Sequence, residues 1–286
     1  MSDTGGEWQV ARRRKGASRS SKSLQVSAAC GQESLDVGKT VKRIRDTIIW
    51  LAAVCVIAFL PLEQLLVAAS ASLSKSPADK DAEDQPERIP RTCQQLECVC
   101  YGLGPFASCV SARYQLAMLL LLLEAGQIPL KDCSVYDPVF SSGERDVLRD
   151  LGLTVLSENE EGKRLVEKPT FFYLMHCGKA LYNNLLWKNW SARGLPLMII
   201  IGNSFSGMRD RFFTRDYSYI SKAVDFSVER KLACPSHLID VFNDTAVITF
   251  PSNSLNGLPQ STWAESPEPQ YPHSPDLEII LKETQS

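Results

Sequence analysis

The chain has 286 residues, 44% of them hydrophobic and 22% charged, with a formal net charge of −2. That balance fits a globular protein with polar ends, and the absence of a basic excess excludes a general nucleic-acid binder. Nine cysteines and three histidines, without paired C-x-x-C spacing, zinc-like clustering or a secretory signal, point to a reducing compartment and to no metal site.

Residues 1–46 are polar and basic, including the run Arg12-Arg13-Arg14-Lys15. Such a stretch buries too little surface to offset chain entropy, so a disordered region is expected. The basic run reads as a solvated tail or as a nuclear import signal. Residues 47–73 form a hydrophobic segment expected to be helical. Its uncharged part, Thr47 to Leu62, is shorter than the roughly 20 residues that span a bilayer. Extending it to Val67 takes Glu63 into the membrane and Pro61 into the helix, both costly. A helix packed on the domain or on a partner is preferred, with membrane contact through residues 47–67 as the alternative. Residues 74–92 are rich in Ser, Pro, Asp and Glu and read as a linker. Residues 261–286 are acidic and proline-rich, which predicts a solvated tail.

Between these ends, residues 93–260 alternate strand and helix, the signature of a parallel sheet. Strands are predicted at Leu96–Tyr101, Cys133–Tyr136, Thr154–Leu156, Thr170–Met175, Leu197–Ile201 and Thr245–Phe250. Cys98 and Cys100 flank Val99, so both thiols face one side and read as small buried apolar groups. The helix Ser108–Glu124 is apolar nearly all round through Leu119–Leu123, which predicts burial. Ser141 and Glu144 form a capping box for a helix ending at Gly152, and Lys179–Trp190 reads as the next helix. Residues 205–240 read as helical, with a break near Pro235. The fold class is α/β: a Rossmann-like, doubly wound, mainly parallel sheet with helices on both faces.

The motif that could carry chemistry is Gly102-Leu103-Gly104-Pro105-Phe106-Ala107, between the first strand and the long helix. Glycines permit a tight turn, and a helix N-terminus offers free N–H groups to a phosphate or carboxylate. The pattern matches the G-x-G-x-x-A form of the dinucleotide fingerprint, but a tight turn without a ligand gives the same sequence. Asp137, at the end of the second strand, stands where a carboxylate can hold ribose hydroxyls, or simply begins a loop. His176 follows the fourth strand and Asn203 the fifth. A strand order of 3-2-1-4-5 would bring Gly102, Gly104 and His176 to one crevice. His176 lacks a sequence partner to orient it as a base, and Cys177 lacks a His–Asp framework. Candidate cofactor-binding residues are therefore Gly102, Gly104, Asp137, His176 and Asn203, with a nucleotide or S-adenosylmethionine as the ligand classes. No catalytic residue is assigned. Trp187 and Trp190 share a helix face and read as packing residues, or as a partner surface if exposed.

Seven ordered blocks carry a resemblance. They are Cys100-Tyr101-Gly102-Leu103-Gly104, Val135-Tyr136-Asp137-Pro138, residues 156–163, His176-Cys177-Gly178, residues 181–187, Ile201-Gly202-Asn203-Ser204-Phe205 and residues 239–245. Over about Cys93 to Phe250 the chain resembles the sensitivity-to-red-light-reduced family, most closely its animal members. Residues 47–73 depart from the charged amphipathic segment usual there. The resemblance implies a regulatory protein rather than an enzyme. In plants it implies red-light signalling and the circadian clock, and in animals clock-gene expression and haem biosynthesis. It also implies regulatory protein partners and a cytoplasmic and nuclear location, and it brings no catalytic residues. The rival reading is an enzyme or sensor that binds a nucleotide or S-adenosylmethionine between Gly102 and His176.

Overall fold

A computed structural model describes residues 35–53, 96–211, 217–232, 234–264, 267–271 and 279–282. Its sheet has seven strands in the order β3-β2-β1-β4-β5-β7-β6. These are β1 (Glu97–Tyr101), β2 (Cys133–Tyr136), β3 (Thr154–Val155), β4 (Thr170–Leu174), β5 (Met198–Asn203), β6 (Val228–Lys231) and β7 (Thr245–Thr249). The first five run parallel. β7 is antiparallel to β5, and β6 is antiparallel to β7. The expected neighbouring of the first and fourth strands is present, with Cys98 level with Phe171 and Cys100 with Tyr173.

Alternate residues of each strand feed two separate cores. Cys98, Cys100, Phe171, Tyr173, Ile199 and Ile201 pack on one face. Val99, Tyr101, Phe172, Leu174, Ile200 and Ile248 pack on the other. This is the period-two geometry of a strand buried on both sides, and it is why β4 and β5 read as unbroken apolar runs.

The first face is covered by α1 (residues 37–53, as far as described), α2 (Val110–Ala125), α3 (Ser142–Asp150) and α7 (Ile239–Phe242). α2 is apolar all round because α1 and α7 share its cluster, through Ile44, Leu51, Val241 and Phe242. The Gln115 side chain donates to the Val241 carbonyl at 3.2 Å, and Tyr173 Oη donates to the Gln115 carbonyl at 2.9 Å. Two polar groups thus tie sheet, α2 and α7 together without leaving a buried amide unpaired. The second face is covered by α4 (Lys179–Lys188), α5 (Phe205–Arg211), α6 (Ser218–Val224) and α8 (Ser252–Leu255).

Three boundaries differ from expectation. Residues 37–46 belong to a packed helix rather than to a disordered region: Ile44 and Leu51 are fully buried. Exposed Ile49 and Trp50 lie between them, so exposed apolar residues blur the helical period in the sequence. Arg12–Lys15, residues 54–73 and the linker 74–92 lie outside the described residues. Among the described residues no helix is long and apolar enough to cross a membrane. Second, residues 228–231 form strand β6 within the stretch read as helical. β6 sits at a sheet edge with Glu229, Arg230 and Lys231, and an edge strand carries charge in place of an apolar pattern.

Third, the C-terminal stretch is packed on the domain at each of the three places where it is described, the last through buried Ile279. Trp263 meets Trp190, and Tyr271 stacks on Tyr217. Tyr271 Oη donates to Asn184 Oδ1 at 2.8 Å and receives Nδ2 of Asn183 at 3.1 Å. Aromatic contacts dock Trp263 and Tyr271, and ion pairs of Glu268 with Lys163 and of Lys282 with Glu158 accompany them. Trp190 is correspondingly internal, with its ring 4.8 Å from Tyr219 and Nε1 donating to the Thr262 carbonyl.

Candidate functional site

The turn from β1 to α2 is built on two left-handed glycines, Gly102 at φ 67° and Gly104 at φ 81°. A Cβ on Gly102 would stand 2.5 Å from Cys177 Sγ, so the close approach of the β4 end requires glycine there. Two of the N–H groups that such a turn could offer to a ligand are held by side chains of the protein. Gly104 N–H donates to Asp137 Oδ2 at 2.7 Å, and Val139 N–H donates to Oδ1 at 2.9 Å. Ala107 N–H donates to Glu144 Oε1 at 2.9 Å. Both carboxylates are buried, Asp137 at 6% and Glu144 at 3% exposure. Two side chains of the protein therefore stand where the fingerprint would place an anion.

Glu144 performs two tasks. Its Oε2 accepts the Ser141 N–H and hydroxyl, completing the capping box of α3, while Oε1 reaches the glycine turn. Arg113 and Arg43 close the same turn from its carbonyl side, donating to Phe106 and Ala107 oxygens.

At the end of β4, His176 adopts φ 53°. Asn203 holds it there: His176 N–H donates to Asn203 Oδ1 at 3.0 Å, and Asn203 Nδ2 donates to the Cys177 carbonyl at 3.3 Å. His176 Nε2 lies 2.8 Å from the Val241 carbonyl, an acceptor, which assigns the ring proton to Nε2. Cys177 Sγ donates to the Tyr101 carbonyl at 3.2 Å. Burial, then the charge of Asp137, pushes this thiol well above its ordinary range, so at neutral pH it is protonated and not a nucleophile.

A cavity of about 160 Å³ opens at this rim, lined among others by Tyr101, Gly102, Tyr136, Asp137, Cys177 and Ile279. The structure thus brings Gly102 and Asp137 together as lining residues. Gly104 lies behind Asp137, and neither His176 nor Asn203 lines the cavity. The crevice pictured between Gly102 and His176 is bounded by Cys177 instead, because the left-handed turn at His176 gives its ring to α7. Sequence reading missed the contact of Glu144 with Ala107 and the arrival of Ile279. Glu144 was visible as a capping residue, whereas Ile279 gave no signal. Among the described residues no three His, Cys, Asp or Glu side chains converge to hold a metal.

Tyr101 continues the lining outward. Its hydroxyl donates to Glu160, whose Oε1 receives Arg164 Nη1 at 3.0 Å. Burial, then the hydrogen bond to Glu160, raises the phenol's affinity for its proton.

Fold and rim together define a mainly parallel α/β domain whose glycine turn is satisfied by its own carboxylates. The sequence profile of the SRR1 domain matches residues 82–249, more than half of the chain, and the chain belongs to that family. It is 56% identical over 144 residues to the SRR1-like protein of Mus musculus, covering 49% of this chain and 58% of the relative. The SRR1-like protein of Drosophila melanogaster is 33% identical over 175 residues, 61% of this chain and 62% of its own length. Protein SENSITIVITY TO RED LIGHT REDUCED 1 of Arabidopsis thaliana is 40% identical over 111 residues, 39% of this chain and 40% of its length. The matches therefore span less than two thirds of each of these relatives. No solved structure matches the chain.

Proposed function

We propose that this chain is a regulatory protein without catalytic activity, acting through protein partners in clock-gene expression and in the control of haem biosynthesis. Membership of the SRR1 family and a plant relative named for reduced sensitivity to red light support a signalling role. The observation that carries the choice of regulator over enzyme is the saturation of the rim. Asp137, Glu144, His176, Cys177 and Asn203 each bind backbone groups through their side chains, a pattern that positions the chain rather than aiming an acid, base or nucleophile from these five residues at a substrate. The test is depletion in animal cells, following clock transcripts through the day and the rate of haem synthesis. Both should change, and both should recover with the wild-type chain, with Cys177→Ser and with His176→Asn, which tolerates the left-handed turn. Unaltered rhythm and haem on depletion, or failure of both folded variants to rescue, overturns the proposal.

The position of the cavity, at the C-terminal ends of neighbouring strands β1 and β4, supports a second reading in which a nucleotide or S-adenosylmethionine binds there. Thermal melts with NAD, ATP and S-adenosylmethionine separate the two, since a ligand of the native state raises the melting temperature. The regulator predicts no rise with any of them.

A further inference from the structure

The rim already has an occupant. Ile279 is 6% exposed and, with Ile280, lines the cavity beside Gly102, Asp137 and Cys177. The segment is held by polar groups of the loop after β3. Asn159 Nδ2 donates to the Ile280 carbonyl at 2.7 Å, Lys282 N–H donates to Glu161, and the Lys282 ammonium pairs with Glu158. Asn159 and Glu161 are themselves coupled, since Glu161 N–H donates to Asn159 Oδ1 at 3.0 Å. The receiving surface therefore provides a socket for one aliphatic side chain, a donor for a carbonyl, an acceptor for an N–H and a carboxylate for a cation.

Anchoring along this stretch is uneven. Tyr271 is fixed by stacking and by hydrogen bonds of its hydroxyl with Asn183 and Asn184 of α4. Residues 279–282, by contrast, bury only Ile279, leave Ile280 and Leu281 at 57% and 44% exposure, and leave about 160 Å³ unfilled beneath them. The ion pair lies at the surface, where such pairs contribute little. A segment that fills its socket incompletely, through one buried side chain, is suited to leave while Tyr271 holds the tether.

We infer that residues 279–282 are a displaceable internal occupant of this crevice, and that the crevice is a binding site for an extended peptide segment of the pattern aliphatic–x–x–basic. The satisfied N–H groups of the glycine turn fit this ligand class better than a phosphate, because a peptide needs only the apolar socket and the outer polar loop. When the tail leaves, the crevice is open to a partner segment of the same pattern. While it is docked, Ile279 and Ile280 occupy part of the crevice. This goes beyond the regulatory role and does not depend on which pathway the chain serves.

The test uses the full chain. A fluorescein-labelled peptide of residues 276–286 is titrated, with anisotropy as the readout, into wild type, the double variant Ile279→Asp/Lys282→Glu, and Lys282→Glu alone. A tethered segment competes at high effective concentration. The peptide should therefore bind the double variant at least about tenfold more tightly than wild type, with the single variant between them. Lys282→Glu does more than delete a surface pair, since it sets a carboxylate against Glu158 and Glu161. Lys282 is 60% exposed, so its substitution leaves folding intact and the single variant decides the direction even if the double one misfolds. Adding Asn159→Ala to the double variant should weaken peptide binding again. Equal binding to wild type and Lys282→Glu, or no saturable binding to any form, overturns the inference. Neither outcome bears on whether depletion alters rhythm or haem.

Discussion

Asp137 and Gly104 are joined across two strand ends by a 2.7 Å hydrogen bond from the glycine N–H to the buried carboxylate. The second oxygen of Asp137 receives Val139 N–H, so one side chain fixes both the β1–α2 turn and the loop after β2. Hydrogen bonds to a charged partner contribute about 1.5–3 kcal/mol each. Asp137→Ala should lower the stability by about 3 kcal/mol in urea titrations. Asp137→Asn keeps the shape but turns an amide NH₂ toward a donor, and should cost less than the alanine. A loss under about 0.5 kcal/mol for both, the range of surface changes, would show that the clamp does not hold the turn.

Gly102→Ala and Gly104→Ala should separate backbone strain from contact. Both positions are left-handed, which costs a residue with a Cβ about 1–2 kcal/mol. At Gly104 the new Cβ meets only Ala112 at 3.5 Å, but at Gly102 it meets Cys177 Sγ at 2.5 Å. Gly102→Ala should therefore be worse by about 1–3 kcal/mol. In a double-mutant cycle, Cys177→Ala should restore that excess and leave the strain. Equal melting temperatures for the two glycine variants would contradict the packing.

Glu144 should matter more than the cap it serves. Ser141→Ala removes an N-cap contact and should cost about 1 kcal/mol. Glu144→Ala also strips the acceptor from Ala107 N–H and should cost about 2–4 kcal/mol. Reversal of that order in chemical denaturation would mean that the α3-to-turn contact is incidental.

Stability should fall on the alkaline side. Burial is the foremost cause raising the thiols of Cys98, Cys100 and Cys177 above their ordinary value of 9.0. Below that value both states hold their protons and nothing changes. Above it the unfolded chain releases protons that the native chain keeps, so each step in pH favours unfolding. The slope approaches about 1.4 kcal/mol per pH unit for each such thiol. Melts between pH 7 and 10.5 should be flat at first and then descend; stability that holds level to pH 10.5 would refute the burial of these groups.

Local physics was legible in the sequence. The capping box of Ser141 and Glu144 forms as spaced, and β2 occupies Cys133–Tyr136 as read. Cys98 and Cys100 fall on one face because strand alternation leaves no other choice. The turn residues Gly102 and Gly104 are left-handed for the same local reason. Strand β6 was illegible because an edge strand of Val228, Glu229, Arg230 and Lys231 buries almost nothing and so carries no apolar period.

The sequence by itself determined the alternation of strands and helices, the glycine turn and the family, since each is written in neighbouring residues. The tertiary structure alone decided that Asp137 and Glu144 fill the N–H groups of that turn, that His176 faces α7, and that Ile279 reaches the rim. Those contacts join residues far apart along the chain. They depend on strand order and on where a tail comes to rest, and neither leaves a local trace in composition or spacing.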